Sequence, residues 1–482
     1  MNIKSLSNVA FDDYESLCIF TDSHGMESLK TDFPDLAAYV DAHMITMDSE
    51  SILSVPTVVN GKKRMVHILG FGVEMSAQSV MNAFGSMAKK FSGDKVSSVV
   101  CHMASIAPLM EQETLFVAAV KGLAAGAYSF HQFQHDKKAM EPQDIVLYTG
   151  SETIDSYLPG ALAIADSVTL ARQLVDEPAN LLKPVQLAQK AKEALAGTSV
   201  EVTVYDRSQI EAFGMNLYLT VAKGSEAEPQ LIVMRYNGDP DSDERIGLIG
   251  KGLTYDSGGY SIKPTDSMIT MKCDMGGSAA VIGAMTLLAK QQPKINVVGV
   301  VAACENMISG RAYLPGDILT SMNGKTVEIT NTDAEGRLTL ADAMTYAIRN
   351  EKATKVVDIC TLTGACMVAL GEEYAGVVTW QDSLWNTVHE ASHETLEACW
   401  RLPLNKVIKD KNKGKMADLQ NSAGRLAGME TAGSFVGEFT EDKPWIHIDI
   451  AGTAYIDHEK PCFRPGATGF GVHLLTELAK RL

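Results

Sequence analysis

The segment IGLIGKGLTYD, residues 246–256, is apolar or glycine over nearly its whole length, yet it holds Lys251 at its centre and ends in Asp256. A continuous apolar run of that length, bounded by an acid and glycines, reads as a strand buried on both faces. VEVTVYD, LIVMRYN, INVVGVVAAC and KVVDICTL read as further strands. They are separated by helical patterns at 184–197, 275–291 and 339–350, so the expected fold is α/β with a mainly parallel central sheet flanked by helices. Ligands on such sheets bind beyond the carboxyl ends of the strands. That rule puts Lys251, Asp256, Asp274 and Thr361 on one rim.

The first 150 residues alternate strand and helix in the same way. LCIFTD, MVHILGFG, VSSVVCHMA and DIVLYTG are the strands, with helices from about Met26, near 75–91 and over 111–133. A long helix over 156–176, stopped by Pro178, links the halves. The expected domains are therefore 1–170, an N-terminal α/β domain with its linking helix, and 171–482, a C-terminal α/β domain. His102, His131 and His135 stand alone and read as ordinary surface or core residues.

A net charge of -17 argues against a general nucleic-acid or anionic-membrane surface. The N-terminus lacks a basic segment followed by a long apolar run, and no stretch of about 18 apolar residues suggests a membrane span. A cytoplasmic protein is expected. Its eight cysteines are scattered without C-x-x-C pairs and read as reduced core thiols.

Chemistry concentrates in residues 251–337. Asp256, Asp274, Asp333 and Glu335 supply oxygen ligands there, and Lys251, Lys263 and Arg337 supply positive charge, in glycine-rich turns after apolar strands. One such residue alone would read as a solvated charge or half of a salt bridge. Together they would repel and raise one another's pKa unless divalent cations sat between them. Carboxylates and a lysine without histidine favour Mn, Mg, Co or Zn. A lysine ligand must be neutral, and Lys251, in the most buried strand, is the candidate. Two adjacent metals would activate a shared water and polarise a carbonyl or phosphoryl oxygen. Lys263 and Arg337 are then free to hold charge developing in the transition state. The sequence argues against a phosphate loop, since GKGLTYDSGG lacks the G-x-x-x-x-G-K-[ST] spacing and no G-x-G-x-x-G opens a helix after a strand.

GKGLTYDSGGYSIKPT, MKCDMGGSAA and NTDAEGRLTLADA resemble the signatures of the leucine (cytosol) aminopeptidase family, and ARQLVDEPANLLKP, TLTGAC, WIHIDIAGTA and PGATGFGV extend the resemblance from residue 170 to the end. The GGYSIK and DMGG variants are similar to its bacterial peptidase B and peptidase A branch. The resemblance implies two divalent metal ions per subunit, Mn or Zn with Co or Mg as alternatives. Asp256 and Glu335 would bridge them, with Lys251 and Asp274 completing the tighter site and Asp333 the more exchangeable one. Lys263 would bind the substrate carbonyl, and Arg337 would anchor a bicarbonate acting as general base. The substrate would be a peptide with a free N-terminus, its first residue in a pocket of Met271, Thr361, Gly364, Ala451 and Ala454, with Asn331 and Ala334 on the leaving-group side. A homohexamer is implied, and the terminal GATGFGVHLLTELAKRL, an amphipathic helix after a glycine-rich turn, is compatible with it. Cys273 stands where the family commonly has Phe and reads as a small core residue.

Two other readings are open at this point. Some relatives bind DNA on the oligomer surface, which a low-salt mobility-shift assay would reveal. A bimetallic phosphoester hydrolase would use the same ligand set, and aminoacyl anilides assayed against nitrophenyl phosphate would separate it.

Overall fold

The computed structural model describes residues 1–21, 34–42, 52–59, 61–71, 75–134 and 143–482. The expected helix start at Met26, and His135, lie outside them. The chain divides into two compact units, Met1–Thr169 with Asp457–Pro465, and Leu170–Ile456 with Gly466–Leu482.

In the first unit a six-stranded sheet has the order Asn2–Leu6, Asp144–Tyr148, Ser98–His102, Ser16–Thr21, Lys62–Gly70, Ile52–Val59. Every neighbouring pair is parallel except the last, an antiparallel hairpin whose first strand, Ile52–Val59, was not expected from the sequence. Its apolar positions are mixed with Ser54, Pro56 and Thr57, and most of it is only partly buried, which weakens the alternation that marks a strand. Helix Ala77–Asp94 opens on a reciprocal cap between Ser76 and Ser79. Helix Gln112–Ala127 is shorter than the expected 111–133, because Tyr128 turns to extended backbone. His102 is buried against the rings of Phe11 and Tyr148, which also touch each other, as expected of a core residue.

The second unit is built on an eight-stranded sheet in the order Cys399–Arg401, Ala375–Val378, Trp445–Asp449, Lys355–Cys360, Ile246–Asp256, Asn296–Asn306, Gln230–Asn237, Val200–Tyr205. The four strands from Trp445–Asp449 to Asn296–Asn306 are parallel neighbours, and antiparallel strands lie outside them. The expected mainly parallel sheet is present. Helix Gly276–Gln291 covers strand Ile246–Asp256 from one side and helix Gly336–Arg349 packs on it as well, which is why that strand is apolar at successive positions.

The C-terminal helix Val472–Arg481 is amphipathic in sequence, but its polar residues His473, Thr476 and Glu477 are buried along with its leucines. Glu397 caps its start, accepting from the backbone N–H groups of Gly471 at 3.1 Å and Leu474 at 2.8 Å. All eight cysteines are buried and none forms a disulfide. Among the described residues, no helix is long and apolar enough to cross a membrane.

Candidate metal centre

The central strands deliver polar residues at their carboxyl ends: Asp256 and Asn306 close adjacent strands, Thr361 follows a third, and Asp449 ends a fourth. A register shift between Cys304 and Glu305 brings Asn306 opposite Asp256. The other two segments arrive as helix starts. Asp274 lies in the single turn Met271–Met275 that runs into helix Gly276–Gln291, and Glu335 immediately precedes helix Gly336–Arg349. Both carboxylates therefore sit at the positive end of a long helix.

After Asp256 the chain reverses through Gly258 and Gly259, at φ +85° and +62°, where a β-carbon would also press on Asp333 and Thr332. Asp256 Oδ1 accepts from the Gly258 N–H at 2.8 Å and from Asn306 Nδ2 at 2.7 Å, so its orientation is fixed from both sides. The turn returns Lys263, whose Nζ lies 2.9 Å from Asp256 and 2.5 Å from Asp333. Lys251 points from mid-strand into the same cluster. Its Nζ donates to Asp274 at 2.7 Å and to the Thr361 carbonyl at 2.9 Å, and lies 3.0 Å from Glu335. Residue 336 must be glycine for this, since a β-carbon there would fall 2.3 Å from Lys251 Cε.

One oxygen each of Asp256, Asp333 and Glu335 falls within 4.8 Å of the others. Buried Asp274 Oδ2 and Glu335 Oε2 have no hydrogen-bond partner. Burial, with repulsion from Glu335 and Asp274, pushes Asp256 up to about 8, and burial lifts Asp274 to about 6 even beside Lys251. Glu335 is buried too, yet Lys251 and Lys263 hold it below the ordinary carboxylate range. Oxygens that are desolvated, mutually repelling and partly unpaired are what a divalent cation would satisfy. The donor set fits such ions.

Arg337 is buried, and burial lowers it to about 10 despite the nearby Glu335. Its Nη1 donates to the Asn421 carbonyl at 2.7 Å, while Nε has no partner. Of the expected pocket residues, Thr361 donates to Asp274 at 2.8 Å. Thr361 and Ala454 would both lie 3.3 Å from a β-carbon at Gly276, so they flank one spot at the helix start. Met271 begins the turn holding Asp274, and Gly364 begins helix Gly364–Leu370. The Ala451 N–H donates to Asp449 at 3.0 Å, and Asn331 Oδ1 accepts from the Asp333 N–H at 2.8 Å. Ala334 is buried beside them in the same loop. Cys273 is buried, and burial beside Asp274 pushes its thiol up to about 12, which suits an inert core residue.

The sequence reading missed Asn306, Thr332, Asn421 and Asp449. The strand-end rule that found Asp256 applies equally to Asn306 and Asp449. Nothing local marks Asn421, which acts across some 90 residues of chain.

The sequence pattern described as the cytosol aminopeptidase family, catalytic domain, matches residues 169–476, and that of the family's N-terminal domain matches 28–137. The chain belongs to the cytosol aminopeptidase family. A probable cytosol aminopeptidase of Clostridium perfringens is 45% identical over 441 residues, covering 89% of each chain. One of Treponema denticola is 46% identical over 417 residues, covering 85% of this chain and 87% of its own. Among solved structures, a tomato leucine aminopeptidase point mutant superposes with a TM-score of 0.87 at 31% identity, covering 100% of this chain and 97% of its own. A bottromycin maturation enzyme in complex with Mn gives a TM-score of 0.86 at 28% identity, covering 97% and 99%. In this cytosol aminopeptidase family member, GKGLTYDSGGYSIKPT, MKCDMGGSAA and NTDAEGRLTLADA are the segments that converge on the carboxylate cluster.

Proposed function

We propose that the chain is a metal-dependent aminopeptidase that releases N-terminal residues, leucine among them, from peptides with a free α-amine. The observation that carries this is the cluster of four acids around Lys251 and Lys263, with Asp274 Oδ2 and Glu335 Oε2 buried and unpaired, in a chain of this family. Asp256 and Glu335 would be the bridging ligands, Lys251 and Asp274 would complete the tighter site, and Asp333 would complete the exchangeable one. Two divalent ions held there, Mn or Zn by preference and Co or Mg as alternatives, supply an activated water and a polarised carbonyl.

Lys263 donates to the substrate carbonyl oxygen as negative charge grows on it. Arg337, with a buried and unpaired Nε, holds bicarbonate as the proton acceptor. Met271, Thr361, Gly364, Ala451 and Ala454 line the first-residue pocket, and Asn331 and Ala334 face the leaving group. The catalytic domain runs from about residue 171, and the protein works as a cytoplasmic homohexamer.

The test is a panel of aminoacyl anilides against nitrophenyl phosphate, after chelation and again with Mn, Co or Zn restored. Anilide cleavage that vanishes on chelation and returns with metal is expected. Full anilide cleavage in demonstrably metal-free protein, or phosphate ester cleavage alone, overturns the reading. Light scattering coupled to size exclusion tests the assembly, where a monomer would refute the hexamer.

A further inference from the structure

We infer that Asn421 is a positioning residue that fixes both the metal-ligand loop and Arg337, a role that rests on the aminopeptidase reading above. Asn421 is fully buried just after the short strand Leu419–Gln420, which pairs in parallel with Thr326–Glu328. Its own N–H extends that ladder, donating to Glu328 O at 3.0 Å, so the backbone of residue 421 is anchored before its side chain does anything.

From that anchor one primary amide serves the whole loop. Asn421 Oδ1 accepts from the N–H groups of Thr330 at 2.8 Å and Asn331 at 3.3 Å. Asn421 Nδ2 donates to the carbonyls of Asn331 at 2.6 Å and Ala334 at 3.3 Å. The Asn421 carbonyl takes the Arg337 guanidinium at 2.7 Å. The residues so held bracket Asp333 and Glu335. On the far side Thr332 ties the same loop to the Asp256 turn, donating to Gly258 O at 2.7 Å and accepting from the Ser261 N–H at 2.7 Å.

The clasp matters because two carboxylates held close to two others repel, and a loop free to relax would swing Asp333 and Glu335 apart. Groups that orient ligands without touching the metal commonly set its affinity by roughly 10- to 100-fold. The chemistry requires an amide. An aspartate at 421 would keep the acceptor for the two N–H groups but turn oxygen toward the carbonyls of Asn331 and Ala334, where only a donor fits.

The experiment compares wild type with Asn421→Ala and the near-isosteric Asn421→Asp. Metal content is read by elemental analysis, amide exchange over 330–337 by mass spectrometry of metal-free protein, and kcat and KM on a leucyl anilide. Asn421→Ala should exchange faster at 330–337 and lose affinity for the second metal by roughly 10- to 100-fold. Its kcat should fall more than KM changes, and excess Mn should restore much of the rate while exchange outside 330–337 stays as in wild type, which a merely unstable fold would not show. Asn421→Asp should lose second-metal affinity as well, and it covers the case in which the alanine variant fails to fold.

Two metals bound as tightly as in wild type in either folded variant, with unchanged kcat, overturns the inference. So does a rate loss that excess Mn does not relieve. Wild type lacking two metals would instead strike the aminopeptidase reading, while the exchange comparison still decides whether Asn421 holds the loop.

Discussion

Two groups of candidate ligands gather at the same eight-stranded sheet, the first reaching it in part through the loop before helix Gly336–Arg349, and they differ in how their carboxylate oxygens are paired. The first is Asp256, Asp333 and Glu335; the second is Asp358, Cys360 and His447, fully buried on the neighbouring strands Lys355–Cys360 and Trp445–Asp449. By proximity alone both could hold a cation. In the second, Asp358 is saturated: Oδ1 bonds His447 Nδ1 at 2.6 Å and Oδ2 accepts from Trp445 Nε1 at 2.7 Å. In the first, oxygens of Glu335 and of its neighbour Asp274 are left without hydrogen-bond partners. Carboxylates saturated by fixed donors favour a structural network even with His447 Nε2 unpaired, and unsatisfied buried carboxylate oxygens favour a metal centre.

The largest effect that tests this contrast is removal of Asp256 or Glu335, the two residues proposed as bridging ligands. Asp256→Ala or Glu335→Ala should reduce bound metal below two per chain and lower kcat by more than about 10³-fold, since the activated water depends on both ions. Asp358→Asn should leave both metals in place. Elemental analysis of the three variants checks the pair of statements, and two retained metals in Asp256→Ala or Glu335→Ala would mean the wrong bridges are named.

Next in size are the cations that bind no metal. Lys263→Ala and Arg337→Ala should each slow kcat by about 10²–10³ with metal content intact. Added bicarbonate separates them. Wild type prepared without carbon dioxide and Lys263→Ala should both accelerate, whereas Arg337→Ala should respond weakly, having lost its guanidinium donors. An Arg337→Ala response equal to wild type would leave Arg337 as a purely structural partner of Asn421.

A smaller effect concerns the pocket. Ala454 is buried beside Thr361 at the start of helix Gly276–Gln291. Ala454→Phe should therefore reduce kcat/KM for leucyl substrates by roughly tenfold or more and for alanyl substrates less, by steric exclusion. Equal losses on the two substrates would assign residue 454 to packing.

How far such a site can be read from sequence follows from how each residue is placed. The central strands and the helices after Asp274 and Glu335 announce themselves by continuous apolar runs, and the acids stand out against them. Asn421 carries no such contrast, because its task is to hydrogen-bond backbone that only the fold brings near, whereas Asn306 and Asp449 end apolar strands but take partners that no local pattern shows. The hairpin strand Ile52–Val59 is hidden for a related reason: all of its residues but Val59 are partly or fully exposed, so neither face is written clearly. His447 is a third case. In WIHIDIAGTA it looks like a ligand beside an acid, and only the register that sets His447 opposite Asp358 shows where its proton goes.

That register yields the subtlest test of the comparison. Burial opposes charge on His447, but the carboxylate of Asp358 outweighs it, so the imidazole titrates above its ordinary 6.5. A folded-state pKa raised above the unfolded value stabilises the fold fully below about 6.5, and that contribution is lost as pH rises through the folded value. The stability gap between wild type and His447→Gln, read from urea unfolding midpoints of metal-free protein, should therefore be wider at pH 6 than at pH 9. Using the difference between the two proteins cancels the carboxylates of the metal centre, which titrate in both. Metal content of His447→Gln at neutral pH should match wild type. A gap that stays flat or widens with rising pH would show that Asp358 holds a neutral imidazole. Loss of a metal from His447→Gln would be the graver result, because the two clusters would then be one.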